Sequence, residues 1–202
     1  MILTPSKGLL GLGLVVGLGN LAGVWASILG YNSYYPLGER NYQFYLFWGL
    51  SYTLNLVLLG LGILQFGMLG LPRWVLYLGV MAMSIGFGIV LVSTSDLGVE
   101  QTQGLEGELR TDGLYRYSRN PQYVGYILAT VGYVFITGSP FVVLLCCLYL
   151  AWWLSFPLAE EPWLHAQFGE DYTQYMGRVP RFIGLRTVQL FVEQERGPTD
   201  NT

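Results

Sequence analysis

Two polar clusters flank the last long apolar stretch of this 202-residue chain. The first, at 109–126, contains Arg116 and Arg119, which share a face if the segment is helical. The second, at 160–182, begins with the doublet Glu160-Glu161. An ionised carboxylate beside a long apolar segment is costly without a partner. The doublet therefore predicts either ion pairs with Arg116 or Arg119, or polar contacts to a bound molecule.

The residues after the doublet have the spacing of an amphipathic helix. Six of them recur at steps of three and four and fall on one helical stripe: Glu161, Leu164, Phe168, Tyr172, Tyr175 and Val179. Such a helix lies on lipid headgroups or covers a site. His165, the one histidine, falls off the stripe, and we expect it to be solvated or to cap a helix rather than to act as a general base.

The residues before the apolar stretch also have ordinary structural interpretations. Arginines near a membrane commonly snorkel to the interface, and Tyr123 suits the same zone. Pro121 favours the first position of a helix and an extended conformation for Asn120, which then caps that helix. The residues alone leave these alternatives open beside a functional one.

Composition predicts a membrane protein. The chain is 52% hydrophobic and only 11% charged, against about 25% charged residues in soluble domains. Charge-free runs at 8–38, 41–72, 74–95 and 120–159 each reach the ~20 residues that cross a bilayer. Backbone groups in lipid must be satisfied within the segment, so we predict an all-α fold. A turn at Gly138-Ser139-Pro140 divides the last run, which gives about five transmembrane helices near 8–30, 44–66, 74–94, 122–138 and 140–158.

The arginines are distributed unevenly between the two ends of these helices. Eight lie in the loops 31–43 and 95–121 and in the C-terminal segment, which share one side, against Lys7 and Arg73 on the other. The positive-inside rule predicts a multi-pass protein with its N-terminus outside and both polar clusters facing the cytoplasm. With one histidine, no zinc-type spacing and no phosphate loop, we expect no metal and no nucleic-acid partner.

The segment 109–183 also resembles a known family. The likeness is carried by Leu109-x-Thr111-x-Gly113-Leu114-Tyr115, then Arg119-Asn120-Pro121-x-Tyr123-x-Gly125, then Glu160-Glu161-x-x-Leu164-x-x-x-Phe168-Gly169-x-x-Tyr172-x-x-Tyr175-x-x-x-Val179-Pro180-Arg181-Phe182-Ile183. This set is similar to the isoprenylcysteine carboxyl methyltransferases and their relatives, the phospholipid N-methyltransferases. Asn120 replaces the family's usual histidine, and Gly184 replaces a later proline.

The resemblance implies an integral membrane methyltransferase that uses S-adenosyl-L-methionine and takes a lipophilic small molecule or lipid from the bilayer. It assigns catalysis to Arg119, Asn120 and Tyr123. It assigns cofactor binding to Gly113, Tyr115, Tyr117, Arg119, Asn120, Pro121, Tyr123, Glu160, Glu161, Leu164, Tyr172, Tyr175 and Arg178. The cofactor is expected between the last two helices and a cytosolic C-terminal segment, which forms an amphipathic helical cover over the site.

On this interpretation the chain is a single membrane domain. Residues 1–94 form a three-helix unit, 95–121 a loop with the first motif, 122–158 a helical hairpin, 159–190 the cofactor-binding segment and 191–202 a tail. The first two helices carry no recognisable chemistry and are expected to be scaffold or part of the acceptor pocket. Gly86-x-Gly88 in the third span is similar to an element of the phospholipid enzymes, although a packing notch is the simpler explanation.

Other functions remain open at this point. The C-terminal pattern is also similar to membrane sterol and steroid reductases that use NADPH, and a non-catalytic membrane scaffold is the third class. The acceptor is undecided among a prenylated cysteine carboxylate, a phospholipid amine and a thiol. No general base is evident in the sequence, which weighs against an acceptor that needs a strong one.

Overall fold

The computed structural model describes residues 3–31 and 33–195, and its regular structure is helical. The α-helices are Leu3–Ile28 (α1), Tyr42–Leu64 (α2), Arg73–Leu97 (α3), Val99–Thr102 (α4), Pro121–Thr137 (α5), Pro140–Arg178 (α6) and Leu185–Glu195 (α7). A 3-10 turn, Gly113–Arg116, precedes α5. Within the described ranges the only β-type pairing is an isolated bridge between Gly38 and Leu105. The predicted all-α fold is confirmed.

Four of these helices are long and apolar enough to cross a membrane, namely α1 from Pro5 onward, α2, α3 and α6. α5 has 17 residues, which is the lower end of the spanning range of about 17–25 residues. It packs beside α3 and α6 in the same bundle. Among the described residues the bundle therefore has five long packed helices, four of which have both the length and the hydropathy of a membrane span.

The predicted break between the last two spans is present. Gly138 ends α5 in the left-handed conformation, with φ 50°, and the Ser139 hydroxyl accepts a hydrogen bond from Val142 N at the start of α6. α6 does not end near residue 158 as predicted, because it continues through Pro157 and Pro162 to Arg178, with one break at Gly169. The acidic doublet therefore lies within this long helix.

Contacts at the two ends of the bundle show which loops share a side. At one end the 29–41 loop meets the segment before α5, with Gly38 N 2.9 Å from Gly104 O. At the other end the loop between α2 and α3 meets the turn between α5 and α6, with Gly67 N 2.8 Å from Thr137 O. The loops predicted to share the polar side are therefore together in the structure.

Glycines bring α3 and α5 into backbone contact. A Cβ at Gly86 would lie 2.6 Å from the Gly125 carbonyl oxygen, and one at Gly132 would lie 2.6 Å from Met83 N. Close approach through small residues is typical of helices that pack in lipid. A Cβ at Gly88 would meet nothing within 4 Å. Of the two glycines in Gly86-x-Gly88, only Gly86 is thus required for close helix packing. Its contact with Gly125 positions the N-terminal part of α5, which carries the first motif.

A buried polar cluster ties α1 and α2 to the loop between them. Asn20, which is 1% exposed, donates to Ser51 Oγ at 3.1 Å and accepts from the Tyr34 hydroxyl. The Ser27 hydroxyl accepts from the backbone N–H groups of Tyr34 and Tyr35, at 2.8 and 3.0 Å. These bonds hold the loop down on the polar end of the bundle.

The C-terminal segment folds back over the same end. The Thr187 hydroxyl, near the start of α7, donates to the Tyr117 carbonyl oxygen at 2.9 Å. The rings of Tyr117 and Phe191 stack with their centroids 3.8 Å apart. Residues 191–195 of the predicted tail continue α7, and residues 196–202 lie outside the described residues.

Candidate active site

Glu160 accepts hydrogen bonds from two tyrosine hydroxyls at the polar end of the bundle. Tyr35, from the loop between α1 and α2, and Tyr123, from the first turn of α5, both donate to Oε1 of Glu160. The two hydroxyl oxygens are 3.0 Å apart. These three side chains form the Tyr–Glu cluster, which joins three distant parts of the chain at one carboxylate oxygen.

Aromatic packing fixes Tyr35 in the Tyr–Glu cluster. Its ring lies against Phe47 of α2 and Phe156 of α6, with centroid distances of 5.2 and 4.8 Å, and the residue is 6% exposed. Burial, and then the nearby charge of Glu160, raises the pKa of the Tyr35 phenol well above its ordinary value. Tyr35 therefore stays protonated and donates to the carboxylate.

Glu161 forms ion pairs with two arginines. Arg119 Nη1 lies 2.8 Å from Oε1, while Arg181 places Nε 2.7 Å from Oε1 and Nη2 2.6 Å from Oε2. The hydrogen bond to Glu161 raises the pKa of Arg181. In the described part of the chain Arg116 is exposed and makes no ion pair. The predicted ion pair is thus confirmed for Arg119 only, because the 3-10 turn ends at Arg116 and the two arginines do not share a helical face.

Asn120 holds the C-terminal segment in place and does not cap its helix. It occupies the N-cap position of α5 without a capping hydrogen bond from its side chain. Its Nδ2 donates to Arg181 O at 2.9 Å, next to the bond from Arg119 N to Pro180 O at 2.8 Å. These bonds bring the Arg181 guanidinium to Glu161. The Asn120 side chain therefore does not cap α5 as expected; its amide instead donates a hydrogen bond to the backbone carbonyl of Arg181.

The predicted stripe of α6 is packed against the protein. Tyr172 and Tyr175 are 2% and 4% exposed, and they form a small core with Val179 against which Leu164 and Phe168 pack. The Tyr175 hydroxyl donates to the Tyr115 carbonyl oxygen at 2.7 Å. Burial raises the pKa of the Tyr115 phenol. The stripe therefore covers the polar end of the bundle, which excludes the alternative that this face rests on headgroups.

Three of the predicted cofactor residues, Tyr117, Tyr175 and Arg178, line a second, smaller pocket. This pocket, of about 260 Å³, is lined by Thr111, Arg116, Tyr117, Tyr175, Arg178, Val179 and Leu190. Arg178 is exposed at its rim. Gly113, with φ 55°, begins the 3-10 turn beside Asp96, and Pro121 is the first residue of α5. The predicted set therefore does not form one site: some residues belong to the Tyr–Glu cluster and its ion pairs, some line this second pocket, and others, such as Gly113 and Pro121, are in neither.

A larger cavity, of about 390 Å³, adjoins the Tyr–Glu cluster on the membrane side. It extends along α5 from Tyr123 to Tyr133, so Tyr35 and Tyr123 lie at its polar end. Its walls are mainly aromatic and include Phe47, Trp48, Tyr126, Tyr149, Trp152, Trp153 and Phe156. Tyr52 of α2 and Phe87 of α3 also line it and are 60% and 44% exposed. The cavity therefore opens between α2 and α3, toward the surface that faces lipid.

Comparison with known proteins identifies the region that carries most of these groups. Residues 74–171 match the family model described as phospholipid methyltransferase. Residues 74–171 are thus similar to that family, and they are called the matched region below. Over 80 residues the chain is also 39% identical to the protein-S-isoprenylcysteine O-methyltransferase of Schizosaccharomyces pombe, an alignment that covers 38% of this chain and 33% of that protein. The chain thus aligns with about a third of the curated relative's length. No solved structure matches the chain.

The matched region, residues 74–171, does not contain the whole site. Tyr35 lies before residue 74 and Arg181 lies after residue 171, yet each contacts the acidic doublet. Tyr35 was not among the site residues predicted from the sequence. The available signal was the presence of polar residues, among them Asn20 and Ser51, within the first two apolar spans, which indicates that α1 and α2 surround something polar.

Proposed function

We propose that this chain is an integral membrane methyltransferase that transfers a methyl group from S-adenosyl-L-methionine to a lipophilic acceptor. The observation that supports this best is the position of the Tyr–Glu cluster. Oε1 of Glu160 accepts from two hydroxyls that also line the uncharged cavity. A polar cofactor and an apolar acceptor can therefore approach the same group from opposite sides.

The polar end of the bundle has the chemistry that this cofactor requires. The carboxylates of Glu160 and Glu161 suit its sulfonium, ammonium and ribose hydroxyls, and the exposed arginines Arg116 and Arg178 suit its carboxylate. The Nε of Arg119 is buried without a hydrogen-bond partner among the described residues. A buried donor of this kind is normally satisfied, so a bound molecule with an acceptor group fits it. We therefore assign cofactor binding to this end.

The acceptor is proposed to enter the larger cavity from the bilayer. The opening between α2 and α3 is lined by exposed apolar side chains, and the closed end lies at Tyr35 and Tyr123. Apolar clefts with a few polar groups are typical small-molecule sites. A lipid-soluble molecule would thus reach the Tyr–Glu cluster without passing through water.

When bound, S-adenosyl-L-methionine supplies an activated methyl group on a sulfonium. The role of the chain is then to align the acceptor with it and to exclude water, which together provide most of the acceleration in reactions of this type. The aromatic walls formed by Phe47, Trp153 and Phe156 exclude water from the cavity. Arg119 and Arg181 hold Glu161 beside Glu160, so the acidic doublet is fixed before any ligand binds.

We further propose that this end faces the cytoplasm and that the N-terminus lies outside. The support is the arginine distribution, because Arg119, Arg178 and Arg181 all lie at the polar end. A membrane-impermeant maleimide tests this assignment with Glu106→Cys in a background that lacks Cys146 and Cys147. The exposed position 106 should react only after the membrane is opened.

The proposed activity is tested with the purified full chain in lipid nanodiscs. The chain is incubated with methyl-labelled S-adenosyl-L-methionine and a total lipid extract, and labelled products are extracted and identified. We expect a labelled lipid-soluble product that requires the chain and is suppressed by S-adenosylhomocysteine. Glu160→Gln should reduce its formation, while Glu100→Gln, at an exposed ion pair with Arg40, should not. Failure to transfer label under any condition would overturn the proposal.

A further inference from the structure

The larger cavity contains one side-chain amide whose orientation is fixed by two hydrogen bonds. Gln122, the second residue of α5, lines the cavity and is 7% exposed. Its Nε2 donates to Thr94 Oγ1 of α3 at 2.8 Å and to Thr102 Oγ1 of α4 at 3.2 Å. Both hydrogens of the amide nitrogen are therefore used. The carbonyl oxygen, Oε1, accepts no hydrogen bond from the residues that the structure describes.

Most other polar side chains of the cavity are committed to partners within the protein. Six of them donate to another protein group, namely Trp48, Asn55, Tyr133, Tyr149, Trp152 and Trp153. The hydroxyl of Tyr126 and the amide of Gln103 also line the cavity, but a hydroxyl can rotate and an amide can turn to suit either a donor or an acceptor. Oε1 of Gln122 differs from both, because it is held in place and can only accept.

An unpaired carbonyl oxygen in an apolar cavity discriminates between ligands. A molecule without a donor removes Oε1 from water and gives it no hydrogen bond in return, which is costly. A molecule with an N–H or O–H group at this position restores the bond. Gln122 directly precedes Tyr123, which lies at the polar end of the cavity and in the Tyr–Glu cluster. The donor would therefore lie near the reacting end of a bound molecule and away from its apolar tail.

We propose that Gln122 is a specificity-determining residue for the methyl acceptor. Its carbonyl oxygen selects lipophilic molecules that carry a hydroxyl or an amide N–H beside the group that is methylated. This inference rests on the proposed function, because it takes the larger cavity as the site of the methyl acceptor. The donor is a recognition group, and the chemical class of the methylated group is left open. Thr94 and Thr102 are positioning residues, since they hold the amide with its oxygen free for the ligand.

Two tritiated probes that differ in one donor test the selection. N-decylacetamide has an amide N–H, and decyl acetate has the same length and no donor. Each probe is equilibrated with the chain in nanodiscs, binding to empty nanodiscs is subtracted, and affinity is expressed relative to the probe concentration in the lipid. We expect N-decylacetamide to bind about tenfold more tightly, which is the scale of leaving one buried polar group unpaired. Equal affinities, or no saturable binding of either probe, would overturn the proposal.

Two variants then assign the preference to the amide of residue 122. Gln122→Leu should abolish it by weakening the binding of N-decylacetamide alone. Thr94→Val keeps Gln122 but removes one of the two groups that hold its amide, so the preference should fall several-fold. Gln167→Leu, at an exposed position of α6, is the matched control and should bind both probes as wild type does. A preference that persists in Gln122→Leu, or that is unchanged in Thr94→Val, would contradict the proposal.

Calorimetric titration with S-adenosylhomocysteine separates this inference from the proposed function. We expect Gln122→Leu to bind this ligand with wild-type affinity, because Oε1 contacts the methyl acceptor. A tenfold loss of affinity would place the oxygen against the cofactor, which overturns the selection by Gln122 and leaves the methyltransferase proposal intact. No binding to the wild-type chain would overturn both.

Discussion

The hydroxyl of Tyr35 donates a hydrogen bond to Oε1 of Glu160, 125 positions further along the chain. This bond connects the loop after α1 to the acidic doublet, and only the doublet lies within the matched region, residues 74–171. Phe47 and Trp48 of α2 line the same cavity. The N-terminal helices are therefore part of the candidate site as well as its support.

Asn20 should influence the site through the loop that carries Tyr35. Asn20→Leu removes its bonds to Phe47 O, Ser51 Oγ and the Tyr34 hydroxyl. We expect the free energy of unfolding to fall by about 2 kcal/mol, because hydrogen bonds in membrane bundles average ~0.6 kcal/mol each and the larger leucine overpacks a buried position. Thermal unfolding in detergent measures the change. Thr53→Ala, at an exposed hydroxyl on α2, is the control, and equal shifts for the two variants would contradict this role.

Glu161→Gln should weaken both the fold and cofactor binding. Glu161 is the acceptor for Arg119 and Arg181, whose side chains are 11% and 38% exposed. Loss of the carboxylate charge leaves Arg119 partly buried without its counter-ion, so we expect a loss of about 1–3 kcal/mol in unfolding free energy. S-adenosylhomocysteine affinity should fall about tenfold, as calorimetry would show. Glu100→Gln is the control, since exposed pairs contribute about 0–1 kcal/mol. Wild-type affinity in Glu161→Gln would remove the doublet from the proposed cofactor site.

Gly86→Ala should destabilise the bundle, whereas Gly88→Ala should not. A Cβ at position 86 would lie 2.6 Å from backbone atoms of α5, and one at position 88 would meet nothing within 4 Å. We expect the first change to cost about 1–3 kcal/mol through overpacking. The second should be neutral or stabilise by about 0.4–1 kcal/mol through the unfolded state. Thermal midpoints of the two variants decide the matter, and identical midpoints would argue against the close contact of α3 with α5.

Asn120→Ala should loosen the C-terminal segment while leaving the transmembrane bundle unchanged. The substitution removes the bond from Nδ2 to Arg181 O. We expect hydrogen exchange at 180–187 to become several-fold faster, since a net hydrogen bond of about 1 kcal/mol is lost. Exchange in α3 and α5 serves as the internal control. An unchanged rate at 180–187 would mean that the amide does not hold this segment.

The fold was largely predictable, because the lengths of the apolar segments and the turn residues between them determine most of it. The charge-free runs gave the membrane helices, and Gly138 with Ser139 and Pro140 gave the turn that is observed. The end of α6 was not predictable in the same way. Polar residues after 158 indicate where a helix leaves the membrane, but they do not end the helix. Pro157 and Pro162 are both accommodated within α6.

The convergence of Arg119, Tyr123 and the acidic doublet was predictable from a hairpin that returns to its starting side, and hydrogen bonds at Glu160 and Glu161 confirm it. The position of Tyr35 in the site was not predictable, because no local sequence motif marks a tyrosine whose hydrogen-bond partner lies in another helix. Arg181 was included in the motif without a role, since its ion pair depends on backbone bonds from Asn120 and Arg119. Long-range contacts of this kind require the tertiary structure.

The central claim, that the acidic doublet and its neighbours form a site for S-adenosyl-L-methionine, is tested most directly by calorimetric titration of the purified chain. The two ligands are S-adenosylhomocysteine and NADPH, because a membrane reductase would bind the second. We predict saturable binding of one S-adenosylhomocysteine per chain and no binding of NADPH. Binding of NADPH with none of S-adenosylhomocysteine would contradict the account.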